Sequence, residues 1–146
     1  MPFRKHFLAA GLMVLAGIGF LGTGDAYAMN TTDNQAKKAV KIVQTAGRQQ
    51  LGTFAPDFAR YNDDILFGEV WSKNDVLPLK ERSIVTVSAL IAQGITDSSL
   101  KYHMETAKKN GVTKDEMAEI ITQLAFYSGW PKAWAAFGYA KEVYGK

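Results

Sequence analysis

PLKERSIVTVSALIAQG, residues 78–94, is where the chain chooses between an all-helical and a mixed fold. Ile84, Val85, Val87, Ala89, Leu90, Ile91 and Ala92 leave it almost no polar face. Several are β-branched, which suits a strand. The length of the run argues the other way. So does its punctuation: Pro78 stands where the first turn of a helix accepts proline, and Gly94 where a helix closes. A helix this apolar is expected to be buried on most sides, at the centre of the fold.

Toward the C-terminus the signals are helical throughout. Thr96 or Asp97 can cap a helix that ends at Asn110-Gly111, with Leu100, Met104 and Ala107 on its apolar face. Its wet face offers the i,i+4 pairs Lys101–Glu105 and Glu105–Lys109. Thr113-x-x-Glu116 is a capping box, opening a helix with Met117, Ile120, Ile121, Leu124 and Phe126 expected inside. Gly129-Trp130-Pro131 breaks that helix, and a last one starts at Pro131 carrying Trp134, Phe137 and Val143. Toward the N-terminus, Ser72 to Asp75 reads as a polar loop. Before it, Pro56 and Asp57 open a helix in which Phe58, Tyr61, Ile65 and Leu66 recur at three- and four-residue spacing. Asn34 to about Gln50 reads as a further helix, with Ala36, Ala39, Val40 and Val43 opposite Lys37, Lys38 and Lys41. About six helices and no convincing hairpin signal predict an all-α bundle.

The first 28 residues have a different character. Arg4 and Lys5 precede an uncharged apolar run from Phe7 to Leu21, and Ala26-Tyr27-Ala28 follows with small residues at −3 and −1. That is the layout of a cleavable secretory signal peptide. The run falls short of the roughly 20 residues that span a bilayer as a helix. The expected mature domain is 29–146, periplasmic or secreted, with cleavage after Ala28 and no stable membrane span afterwards. Without cysteine there is no lipid attachment and no disulfide, so the core alone must stabilise the fold. The net charge of +3 is spread among interspersed acids and bases, which gives nucleic-acid binding no support. Past the leader His103 is the sole histidine, so no metal-ligand cluster is visible, and neither a metal nor a cofactor is expected.

Few residues are candidates for chemistry. His103 shares a face with Leu100, Met104 and Ala107 and should point inward. There it serves either as a proton carrier near neutral pH or as a core histidine bonded to a carbonyl. Arg82 sits early in the apolar helix. It can hold a substrate carboxylate in a bidentate fork, pair with Glu69 or Asp75, or be solvated at the helix end. Glu69, between Phe67, Val70 and Trp71, is either a partly desolvated acid or an exposed one. Trp71, Tyr127, Trp130 and Trp134 can wall a pocket, or serve the core or a subunit interface.

The order of segments carries more than any of these residues singly. Phe67-Gly68-Glu69-Val70-Trp71 comes first, then Leu79-Lys80-Glu81-Arg82-Ser83 leading into the apolar helix. His103-x3-Ala107-x3-Gly111-Val112-Thr113 follows, and then Tyr127-x-Gly129-x-Pro131. Together they resemble the carboxymuconolactone decarboxylase family over roughly Gln35 to Tyr144. The resemblance implies an all-helical fold and a homo-oligomer, commonly a trimer or hexamer, with aromatic stripes partly serving subunit contacts. One branch of that family resembles alkylhydroperoxidases and places a Cys-x-x-Cys pair ahead of the histidine. Those positions are Thr96 and Ser99 here, and neither forms a thiolate, which excludes peroxidase or disulfide-reductase chemistry. The other branch resembles the lactone decarboxylases and needs no thiol. It implies His103 as proton donor or shuttle, Arg82 as the group orienting a substrate carboxylate, and Glu69 as the partner that sets the proton. Trp71 and Tyr127 would contact the substrate, a small anionic lactone. Such lactones are broken down in the cytoplasm, whereas this chain carries an export signal. A non-catalytic oligomer binding a small ligand in the same pocket is the competing expectation.

Overall fold

The computed structural model describes residues 38–145. The expected leader, its cleavage after Ala28 and the start at Met29 lie outside the described residues. All regular structure among the described residues is helical: α1 Ala46–Leu51, α2 Pro56–Arg60 running on as a π-helix Tyr61–Trp71, α3 Leu79–Gln93, α4 Ser98–Lys109, α5 Lys114–Ser128 and α6 Trp130–Tyr144. None of them is long and apolar enough to cross a membrane.

The last four helices form a ring, α3 against α4, α4 against α6, α6 against α5 and α5 against α3. Val87 and Ile91 of α3, Leu100, Met104 and Ala107 of α4, and Met117 and Ile121 of α5 are fully excluded from solvent between them. The α6 face is built from Ala133, Ala136 and Ala140, small side chains that let α5 and α6 approach closely. The expected caps are in place. Asp97 accepts from the Ser99 N–H at 2.8 Å, and Thr113 and Glu116 exchange both bonds of the capping box. Gly94 closes α3 at φ 79°, a conformation open to glycine at little cost.

Helix α3 is less buried than its composition predicts. Only the Ser83, Val87, Ile91 stripe is buried, and Val85 on the far side is 59% exposed. Two neighbours in a ring cover one face of a helix and leave the other open. For the same reason Phe126 points outward rather than into the core. On α4 the expected i,i+4 ion pairs do not form. Lys101 instead reaches across to Glu142 of α6 at 2.6 Å.

The largest departure is at the N-terminal side. The described part of the expected first helix, residues 38–45, is an extended strap, and α1 begins only at Ala46. Val40, Ile42, Val43 and Thr45 are β-branched and weak helix formers. Side chains compete for the backbone as well. Asn74 accepts from the Val40 N–H at 2.8 Å and donates to the Val40 carbonyl at 2.7 Å, while Ser72 Oγ accepts from the Ile42 N–H at 2.8 Å. Gln44 Oε1 takes the N–H groups of Thr45 and Ala46. The strap and the turn at residues 72–74 together finish the π-helix. Lys41 Nζ donates to the Gly68 carbonyl, Ser72 Oγ to that of Phe67 and Asn74 to that of Trp71, so the last carbonyls are satisfied. The stripe of Phe58, Tyr61, Ile65 and Leu66 is partly exposed, from 38% at Ile65 to 60% at Phe58.

Candidate functional site

A cleft of about 460 Å³ opens where the N-terminal helices meet the ring. One wall is α1, contributing Ala46, Gly47, Gln50 and Leu51, with Gln44 of the strap beside it. A second wall is Phe58 of α2 with Asn62, Leu66 and Phe67 of the π-helix. The third is the first turns of α4, which present Ser98, Ser99, Tyr102 and His103.

Two features hold the first two walls together. Asp63, buried to 2% exposure, sends its carboxylate to the start of α1 and accepts from the N–H groups of Gly47 at 2.9 Å and Arg48 at 3.0 Å. These are helix-start donors without intrahelical partners, so Asp63 caps α1 from a distance of fifteen residues and more along the chain. Asn62 Nδ2 and Arg48 Nη1 add two further donors. Burial pushes the Asp63 pKa up. The hydrogen bonds from Asn62, Arg48 and Gly47 outweigh that and hold it below the usual carboxylate range. The Arg48 guanidinium also forks onto Asp64, at 3.0 and 2.6 Å.

Gly47 makes the close approach possible. A Cβ there would sit 2.7 Å from Asp63 Oδ1 and 2.9 Å from the Ala59 carbonyl. Helix propensity alone favours alanine over glycine by about 1 kcal/mol. Overpacking against a fixed carboxylate and a fixed backbone costs about 1–3 kcal/mol and should win. Gly47→Ala is therefore expected to lower the melting temperature, and a raised one would show that α1 shifts without strain.

His103 is half-buried at the cleft, edge-on to Tyr102 with ring centroids 5.2 Å apart. Among the described residues none hydrogen-bonds its imidazole. Burial lowers its pKa below the ordinary 6.5. At neutral pH the resting imidazole is uncharged.

The other sequence candidates lie apart from this cleft within one chain. Glu69 is exposed on the π-helix. Arg82 donates through Nη2 to the Lys73 carbonyl at 2.8 Å, and its buried Nε has no partner. Trp71 is buried behind the lining, its ring 5.8 Å from that of Phe67. Tyr127 is 83% exposed near the end of α5. Conversely, Asn62, Gln44, Gln50, Ser98 and Tyr102 line the cleft without having drawn notice as sequence. Among them only Ser98 carried a usable signal, beside Ser99 and just over a turn ahead of His103 on the same helix. Among the described residues no group of three or more His, Cys, Asp or Glu is placed to hold a metal ion.

Comparison with models of protein families matches residues 56–142 to the Carboxymuconolactone decarboxylase family. The chain belongs to that family. The match begins at α2 and ends in α6, so it takes in the π-helix wall and His103 but leaves α1 outside. Among curated proteins, the chain is 40% identical to the 4-carboxymuconolactone decarboxylase of Acinetobacter baylyi over 96 residues, 66% of this chain and 70% of that protein. It is 30% identical over 82 residues to an uncharacterized 15.0 kDa protein of Paracoccus denitrificans, encoded between nqo9 and nqo10. That alignment covers 56% of this chain and 60% of the relative. The fold and the match together make this a cysteine-free, all-helical member of the family.

The titrating groups predict how the fold responds to pH. Asp64, Asp97 and Glu116 are held below the usual carboxylate range by hydrogen bonds from Arg48, Ser99 and Lys80 respectively, as Asp63 is by its own donors. Groups with lowered folded pKa values stabilise the fold above their unfolded values and lose that contribution as pH falls. His103 acts in the same direction from 6.5 downward, because the unfolded chain takes up its proton first. Tyr144, pushed up to about 12 by burial, erodes stability as pH rises from 10 toward that value. Melting temperature should hold a plateau from about pH 6.5 to 10 and fall on both sides. A melting temperature that rises as pH drops from 7 to 5 contradicts these assignments.

Proposed function

We propose that this chain is an exported, thiol-independent decarboxylase or isomerase that acts on a small carboxylated lactone by proton transfer through His103. The observation that carries the reading is a half-buried imidazole at a largely apolar cleft, with no hydrogen-bond partner among the described residues. The 40% identity to a protein named as a 4-carboxymuconolactone decarboxylase supports the same chemistry.

The step itself is simple. The bond between the ring carbon and the carboxylate breaks, and its electron pair moves into the unsaturated lactone as carbon dioxide leaves. A proton must then arrive at carbon. An anionic substrate entering the cleft favours the charged form of His103 and raises its pKa, so the imidazole takes up a proton. It delivers that proton as charge develops on the substrate. Leu51, Phe58, Leu66 and Phe67 offer the ring an apolar wall.

Arg82 and Glu69 are assigned to orient the carboxylate and set the proton, with Tyr127 contacting the substrate and Trp71 behind it. Since none of the four lines the cleft of its own chain, the participation of Arg82, Glu69 and Tyr127 goes with a homo-oligomer, a trimer or hexamer, while Trp71, buried behind Phe67, acts only through that lining. The outward-facing Phe126, Trp130 and Trp134 support that assembly. Export rests on the charged start, apolar run and Ala-x-Ala site of residues 1–28.

The test is to incubate protein starting at Met29 with γ-carboxymuconolactone and related carboxylated lactones and follow ultraviolet absorbance. Turnover that His103→Ala abolishes supports the proposal. Thermal stabilisation by the same compounds without turnover would make the cleft a binding site and overturn catalysis.

A further inference from the structure

Tyr102 and His103 are consecutive residues of α4, and both side chains line the cleft. The backbone beneath them is fixed. Leu100 and Met104 on either side are wholly excluded from solvent, and Thr106 Oγ1 donates to the Tyr102 carbonyl at 3.0 Å. The imidazole is less constrained than the helix that carries it. A histidine that moves protons usually has one ring nitrogen tied to a carbonyl or carboxylate, which sets the ring's orientation and its tautomer. Among the described residues no such partner is present. The contact that remains is with the Tyr102 ring, its centroid 5.2 Å away and its plane at 80° to the imidazole. That is the edge-to-face arrangement which aromatic pairs prefer. Tyr102 is 50% exposed, so core packing does not explain its ring, as it does for Tyr144 at 8%.

We infer that Tyr102 is a positioning residue for the proposed reaction: its ring holds the His103 imidazole edge-to-face in the orientation from which the proton is delivered. The chemistry rests on the decarboxylase reading, whereas the contact stands on the geometry alone. An edge-to-face contact needs the π-system and not the hydroxyl. A phenyl ring therefore serves as well, and an aliphatic side chain of similar size does not. With the aromatic ring gone, the imidazole distributes over its other rotamers, and only the fraction in the productive one transfers a proton. An edge-to-face pair of ordinary strength maintains a population ratio of about two- to tenfold. Loss of the ring should therefore appear in kcat by that factor. Binding of the substrate should change little, because its apolar wall is supplied by Leu51, Phe58, Leu66 and Phe67.

The experiment pairs NMR with kinetics on protein starting at Met29, in which His103 is the one imidazole. In the wild type, nuclear Overhauser contacts should join the ring protons of Tyr102 and His103. Their absence overturns the assignment whether or not any variant folds. Tyr102→Leu should move the His103 ring resonances toward those of an unstacked imidazole. It should also lower kcat on a carboxylated lactone about two- to tenfold with KM changed little. Tyr102→Phe should restore both readouts. Ring resonances that ignore the loss of the aromatic side chain, or a Tyr102→Phe protein as impaired as Tyr102→Leu, overturn the assignment. So does a Tyr102→Leu protein that raises KM and keeps kcat, since that describes a substrate contact. Resonances that behave as expected in proteins that turn over no lactone would overturn the decarboxylase reading and uphold the positioning of the ring. Turnover lost in His103→Ala but undisturbed in Tyr102→Leu would do the opposite.

Discussion

His103→Ala is expected to lower turnover of a carboxylated lactone, under the proposed function, by about 10²–10⁴-fold, the usual contribution of a positioned acid or base. The fold should survive the change. The imidazole is half-buried at a cleft edge and makes no side-chain hydrogen bond among the described residues, so its removal strands none of their donors or acceptors and opens no cavity inside the helical ring. Circular dichroism and melting temperature should stay close to wild type while activity collapses. The pH profile adds a second readout. If the imidazolium delivers the proton, kcat/KM falls as pH rises past the free-enzyme pKa of His103, which burial sets below 6.5. A variant retaining more than about a tenth of wild-type turnover cannot have lost the proton carrier of this mechanism.

Met104→Ala, one residue along α4, should do the reverse. Met104 is wholly excluded from solvent, packed in the ring core with Leu100 and Ala107. Deleting such a side chain costs the lost transfer energy plus a cavity, together about 2–5 kcal/mol. For a domain of this size each kcal/mol lowers the melting temperature by about 4–8 °C, so the expected drop exceeds 8 °C. Below that transition the residual folded protein should keep turnover within a few-fold of wild type, because Met104 does not line the cleft. Two adjacent residues, one lost without structural damage and one lost without chemical damage, separate the site from its scaffold. A Met104→Ala protein that melts with wild type would contradict the packing of α4.

Helices α3 to α6 were legible because their ends are chemically marked. Asp97, the Thr113/Glu116 box, Gly94 and Pro131 act within one turn of their own position, and local signals survive in sequence. The 38–45 strap was not legible. Its alternation of Lys with apolar residues fits a helix, but the competitors for its backbone, Ser72 and Asn74, are about thirty residues away. The π-helix was hidden for a related reason. The three- and four-residue spacing of Phe58, Tyr61, Ile65 and Leu66 describes an α-helical stripe, and the chain winds more widely there from Tyr61 onward. His103 stood out as the only histidine beyond the leader, and helix periodicity placed it inward. Asn62 and Asp63 did not, because Asn-Asp-Asp reads as a solvated step. Only the tertiary approach of Gly47 and Arg48 turns Asp63 into a buried cap and Asn62 into a cleft wall. Tertiary packing likewise diverted Lys101 from Glu105 to Glu142.

The most direct test of the account is an NMR titration of His103. In protein starting at Met29 it is the one imidazole present, so its resonance needs no assignment by mutation. Without ligand it should titrate below 6.5, and a saturating, unreactive lactone carboxylate should shift the resonance and raise its pKa. A histidine that titrates at 6.5 or above in the free protein, or one whose resonance and pKa ignore the bound carboxylate, would contradict it.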